Sequence, residues 1–187
     1  MPDGSIAIRP AAPEDMPALL AMQARSMRRL GRGPYAPREI EAYIATVGTM
    51  DAHLVDDGTY WVALLGRGGP IAASGGWSLR APGYAGRARG GVAEEAPAAP
   101  KIRSVIVDPD HARAGLGRAI MERAETDIAA RGFGRAGLVA TLMGVPFYTA
   151  LGYRPARPVV LDLGPGTRFA GLAMEKALPA AALRRAA

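Results

Sequence analysis

Two segments in the second half of the chain have residue types and spacings that can do chemistry. The first is Val105-Ile-Val-Asp-Pro-Asp-His-Ala-Arg-Ala-Gly-Leu-Gly-Arg-Ala-Ile-Met121. There a β-branched run stops at Asp108-Pro109, tightens around two glycines and passes into a helix-like pattern. A helix start carries N–H groups without intrahelical partners and the positive end of the helix dipole. Residues Arg113, Ala114, Gly115, Leu116, Gly117 and Arg118 are therefore candidates for cradling a phosphate, with two guanidinium groups beside it. A tight strand-to-helix connection is the plainer reading of the same glycines. The second segment, Val145-Pro-Phe-Tyr-Thr-Ala-Leu-Gly-Tyr153, sets Tyr148 on a short helix that Gly152 ends.

Positioning these segments takes a mixed α/β domain. The pattern predicts a strand at 6–9, then a helix opened by Pro13-Glu-Asp15 with an apolar stripe of Met16, Leu19, Leu20, Met27 and Leu30. A Gly/Pro-rich break precedes a second helix at 38–47. Strands follow at 59–65 and 71–79, joined by Gly66-Arg-Gly-Gly-Pro70 as a hairpin turn. Residues 80–100 are Gly, Ala, Pro, Arg and Glu without periodicity; a mobile functional loop and a tolerated surface insertion both fit. Order returns with a strand at 101–107 and a helix whose Leu116, Ile120, Ala124 and Ile128 recur every four residues, with Gly132 closing it. A strand at 137–141, the helix at 145–151, and a hairpin of 159–163 and 169–176 complete the order, leaving 178–187 as a tail.

Composition narrows the function classes. A length of 187 residues with 49% hydrophobic residues suits one domain with a substantial core. No window holds 18 uninterrupted apolar residues, and the N-terminus lacks a basic segment followed by an apolar block. The expectation is a cytoplasmic protein without membrane contact. There is no cysteine, and His53 and His111 stand far apart, so no metal site is expected. The net charge of +6 comes from scattered arginines, and aromatics are only 6%, which argues against nucleic acid and toward a coding bias.

The two opening segments, in this order and about thirty residues apart, together resemble the GNAT superfamily of acyl-CoA-dependent N-acetyltransferases. A dinucleotide-binding turn fits less well, because only two of that fingerprint's glycines are present. The resemblance implies an α/β fold over residues 1–187: a mixed, largely antiparallel central sheet of about seven strands flanked by about four helices. It implies acetyl-CoA as co-substrate and an amine as acceptor, with the 113–118 backbone on the pyrophosphate. Ala112 stands where the family usually has Gln or Arg, so a side-chain contribution is missing there. Val105, Ile106 and Val107 would pair with the pantetheine amides, and an N–H near Ile106 or Val107 would polarise the thioester carbonyl. The same three side chains also suit a core strand.

Tyr148 matches the family residue that protonates the departing thiolate; a core tyrosine is its other reading. Thr141 sits where many relatives carry an asparagine that contacts the cofactor. For the acceptor, Tyr35, Trp77 and Arg103 are candidates, with Ser26 and Ser78 beside them; Trp77 suits the core equally. No acid occupies the strands where relatives keep a base, which leaves a water chain or Glu94 and Glu95 from the long loop. The missing acid also keeps open a non-catalytic acyl-CoA-binding or sensor domain. The terminal hairpin often supports dimers in relatives, so the resemblance allows a homodimer.

Overall fold

The computed structural model describes residues 6–48, 53–66, 68–82, 85–89 and 99–179. The chain opens with β1 (Ile6–Pro10), a 3-10 turn at Pro13–Asp15 and helix α1 (Met16–Leu30). Asp15 fixes this entry: its carboxylate accepts the Ala12 N–H at 2.8 Å and receives two bonds from the Arg9 guanidinium. The face of α1 that meets the protein carries Leu19, Met22, Gln23, Ser26 and Met27 at helical spacing. Leu20 and Leu30, expected on that stripe, are exposed because they lie beside this face. Helix α2 (Pro37–Thr46) starts with proline at its first position, and Glu39 reaches back to accept the Ala36 N–H at 2.7 Å.

A four-residue helix, α3 (His53–Asp56), leads into the hairpin β2 (Tyr60–Leu65) and β3 (Ile71–Ser78). Then come β4 (Ala88–Arg89), β5 (Lys101–Val107), α4 (Leu116–Ala130), β6 (Arg135–Thr141), α5 (Val145–Ala150), β7 (Arg154–Asp162) and β8 (Arg168–Ala177). The sheet order is β1-β2-β3-β5-β6-β8-β7-β4, and every neighbouring pair is antiparallel except β5 with β6. This is the mixed, largely antiparallel sheet that the resemblance implies, with short α3 and two-residue β4 added. Part of the 80–100 segment is therefore tied to the sheet, since Ala88 and Arg89 pair with Leu161 and Val160. Glu94 and Glu95 lie outside the described residues. Leu178, expected to begin a tail, is buried and donates its N–H to the Gly134 carbonyl at 2.8 Å.

Helix α4 packs the sheet through its predicted stripe: Leu116, Ile120, Ala124 and Ile128 join Trp61, Trp77 and Met174 in the largest core. Burying each larger side chain contributes about 1.5–3 kcal/mol before conformational entropy is counted. Gly132 ends the helix at φ 86°, donating to the Ala129 carbonyl. β7 starts five residues earlier than its sequence suggests, because Pro155 and Pro158 read as strand breakers. β4 pairs β7 only at Val160 and Leu161, so the prolines occupy an edge, and a register shift lies between Pro155 and Arg157. Edges and bulges are where a sheet tolerates proline.

Candidate active site

β5 and β6 pair only at Lys101↔Gly137 and Ile102↔Leu138, and beyond these two positions they separate. The separation begins at an irregularity in β5. Its register against β3 shifts between Ser74 and Gly76, and Ser104 there has φ 51°. A non-glycine residue in this region costs about 1–2 kcal/mol, so neighbours must hold it. Opposite the bulge, Gly75 leaves no room for a side chain: a Cβ would lie 2.9 Å from Val105 Cγ2 and 2.6 Å from Ile120 Cγ2.

Past the bulge the strand is regular, and its polar edge can be read. The Asp108 N–H donates to the Ala72 carbonyl at 2.8 Å, and Ile106 is paired with Ser74. Strand alternation then turns the backbone of Val105 and Val107 away from β3. The Val107 carbonyl indeed accepts the Ser26 hydroxyl of α1 at 2.8 Å. Ile106, expected as one of two candidate N–H donors, is thus directed to β3, and Val105 and Val107 carry the open edge.

The gap widens into a cleft of about 1100 Å³. At one end Gly115, at φ 80°, is the residue before α4, and a Cβ there would meet nothing within 4 Å. The first α4 bond runs from the Ala119 N–H to the Gly115 carbonyl at 3.0 Å. The N–H groups of Leu116, Gly117 and Arg118 are therefore without intrahelical acceptors at the cleft wall. An open floor of backbone donors flanked by Arg113 and Arg118 fits a diphosphate. Ala114 shares the turn but does not line the cleft. Gly117 lets three elements meet, since a Cβ would lie 3.2 Å from Phe147 and 3.3 Å from Val107. The loop before α4 is held from α1, where Arg25 pairs with Asp108 and Arg29 with Asp110.

The facing wall comes from the end of β6 and from α5. Thr141 and Tyr148 both line the cleft, and Tyr148 packs edge-on against Phe147 and Tyr153, with centroids 5.0 and 6.0 Å away. Gly144 seats them: a Cβ would come within 3.1 Å of the Tyr148 ring and 3.3 Å of the Thr141 hydroxyl.

Of the acceptor candidates, Arg103 lines the cleft, buried, with its guanidinium donating to the Arg80 carbonyl. Ser26 lines it too, whereas Ser78 is buried and accepts the Arg80 N–H. Tyr35 and Trp77 do not line it. Tyr35 is 5% exposed and stacked on Phe169 at 3.9 Å. Its hydroxyl donates to the Ala170 carbonyl at 2.6 Å and accepts the Leu142 N–H at 2.7 Å. Burial pushes this phenol up to about 12. It anchors the turn that leads into α5. Trp77 lies on the α4 side of the sheet, where its indole donates to Asp127 at 2.9 Å beneath the Arg131 guanidinium. Its core reading is the one the structure supports.

Met27, Leu30, Tyr43 and Val47 form an apolar wall that sequence reasoning did not assign. Their signal was present as apolar residues on the first two helices. His53 of α3 also reaches the lining, which contains no carboxylate among the described residues.

Several solved structures share this architecture. A GCN5-related N-acetyltransferase from Rhodopseudomonas palustris is 22% identical, over 92% of this chain and 95% of that one, with a TM-score of 0.71. The PaiA N-acetyltransferase from Thermoplasma acidophilum, solved with coenzyme A, is 15% identical over 92% and 99%, with a TM-score of 0.63. A phosphinothricin acetyltransferase from Sinorhizobium meliloti, solved with acetyl-CoA, is 16% identical over 92% and 88%, with a TM-score of 0.60. At such identities the likeness is one of fold. No curated protein matches the chain in sequence. The acetyltransferase (GNAT) domain model matches residues 56–155, just over half of the chain, spanning the strands that separate, the helix start between them and Tyr148. The chain belongs to the GNAT family.

Proposed function

We propose that the chain transfers an acetyl group from acetyl-CoA to the amine of a small acceptor by direct attack, with both bound together. The observation that carries this is the gap between β5 and β6, with a helix start at one end and Tyr148 in its wall. The relatives solved with coenzyme A or acetyl-CoA support the choice of donor. Acetyl-CoA supplies an activated thioester. The N–H groups of residues 116–118 bind its diphosphate, and Arg113 and Arg118 balance the charge. Val105 and Val107 offer a strand edge to the pantetheine amides. The Val105 N–H, next to the bulge, donates to the thioester oxygen as negative charge gathers there.

As the nitrogen–carbon bond forms and the carbon–sulfur bond breaks, Tyr148 gives its proton to the sulfur. Reference pKa values of about 10 for phenol and about 8.5 for thiol make that transfer feasible. The proton released by the amine passes to water in this scheme, because the described walls offer no carboxylate. With no cysteine in the chain, a thioester intermediate on the protein has no carrier.

That same lack of a carboxylate favours a second reading, an acyl-CoA-binding domain without turnover. Thiol release from acetyl-CoA across a panel of amines separates the two. Amine-dependent release supports the transferase, and tight binding with no release above background supports the binding domain.

A further inference from the structure

We infer that Tyr60, with Gln23 and Ser74, is a positioning residue: its hydroxyl holds the Ser104 bulge that turns the Val105 N–H into the cleft. The assignment rests on the acetyl-CoA reading above and adds the groups that hold its carbonyl-binding edge. Tyr60, Gln23 and Ser74 are all fully buried. The Tyr60 hydroxyl lies 2.9 Å from the Ser104 carbonyl oxygen and 2.9 Å from Ser74 Oγ. Gln23 Nε2 donates to that hydroxyl at 2.8 Å and to Ser74 Oγ at 3.3 Å. A phenol has one proton, and a carbonyl can only accept, so Tyr60 gives its proton to Ser104. Its oxygen then accepts from Gln23 and Ser74.

These polar groups sit against an otherwise apolar cluster of Leu19, Met22, Leu54 and Val62. Buried polar side chains are costly there unless fully engaged, and apolar residues would fill the same space. What they engage is the carbonyl of a strained residue. Ser104 and Arg113 are the two non-glycine residues with positive φ among those described, and both line the cleft. The three holders come from α1, β2 and β3, so the bulge is fixed from the N-terminal half of the sheet. Without the Tyr60 hydroxyl, β5 relaxes toward a regular strand. A one-residue change of register there redirects the Val105 N–H toward β3.

The test titrates the full chain with acetyl-CoA and with coenzyme A by calorimetry, and follows the Val105 amide by NMR. In the wild type, acetyl-CoA binds about fivefold tighter than coenzyme A, as one ordinary hydrogen bond gives, and the amide responds to acetyl-CoA alone. Tyr60→Phe abolishes this preference while coenzyme A affinity stays within about twofold, since the diphosphate site is untouched. Adding Ser104→Gly restores the preference, because glycine takes the left-handed backbone without strain. A role confined to packing gives no such rescue. Tyr60→Phe that keeps the preference, or that loses coenzyme A affinity without rescue by Ser104→Gly, overturns the assignment. So does a wild type that binds both ligands equally. A wild type that binds neither removes the acetyl-CoA reading itself, and this assignment with it.

Discussion

Replacing Gly115 by glutamate probes the proposed diphosphate cradle where it is most open. The backbone at φ 80° makes any side chain there unfavourable, by about 1–2 kcal/mol. Nothing lies within 4 Å of the added Cβ, so no clash compounds that strain. In a chain of this length each kcal/mol moves the melting midpoint by about 2–4 °C, so the variant still folds. Gly115→Ala carries the same strain without the charge and is the reference. The carboxylate adds repulsion toward a bound diphosphate. At a separation of about 5 Å this is about 1 kcal/mol in a water-like medium and about 3 kcal/mol at an effective dielectric of about 20. Affinity for acetyl-CoA should therefore fall by about 5- to 160-fold relative to Gly115→Ala. Calorimetric titration measures the ratio directly, and thermal shift checks it. The wild type gains about 2.7 kcal/mol at a hundredfold excess over its dissociation constant, and the same concentration leaves the glutamate variant about 1.8 kcal/mol at the fivefold end of this range and about 0.3 kcal/mol at the other. Equal acetyl-CoA affinity in the two variants would refute a cradle at the start of α4.

Tyr148→Phe should lower turnover by about 10²–10⁴-fold while acetyl-CoA affinity is kept, with water recovering part of the loss; turnover within twofold of wild type sinks the acid role. Trp77→Phe should cost about 1–3 kcal/mol in denaturant titrations, through the lost bond to Asp127 and poorer filling, and should leave acetyl-CoA affinity unchanged. A matching loss of affinity would return Trp77 to the cleft. Alkaline pH should unfold the chain cooperatively. Burial raises the phenols of Tyr35, Tyr60 and Tyr153, the first to about 12, above an ordinary value of 10.0. Folded groups that ionise later than unfolded ones contribute stability that is complete below pH 10 and lost as pH rises through about 12. Stability that stays flat above pH 10 in denaturant titrations would contradict this.

Much of the local structure around the candidate site was legible because local chemistry dictates it. The Gly115–Arg118 turn and the four-residue repeat of α4 announce a helix start after a strand, wherever the chain packs. The strand edge needed tertiary information: whether Ile106 or Val105 faces the gap depends on a bulge held by Tyr60, 44 residues away. Tyr35 and Trp77 misled for related reasons. A large aromatic in a Gly/Pro loop suggests exposure for binding, yet the Tyr35 hydroxyl closes two backbone groups of β8 and of the turn before α5. Trp77 carries no signal of which side of β3 it occupies; its partner Asp127 lies 50 residues further on. β4 was illegible because two residues cannot show a period, and β7 because its prolines are acceptable only at an edge.

The short ladder between β5 and β6 has a mechanical consequence. Two paired positions carry the whole sheet connection between β1-β2-β3-β5 and β6-β8-β7-β4, whereas β7 and β8 are paired at eight. Under a pulling force the sheet has a seam there, and its rupture breaks few bonds at once. A ligand gripped by β5 on one bank and by α5 on the other works as a rivet across that seam. Single-molecule pulling should therefore show a higher first rupture force when acetyl-CoA is present, with the later unfolding of the β7–β8 hairpin unchanged.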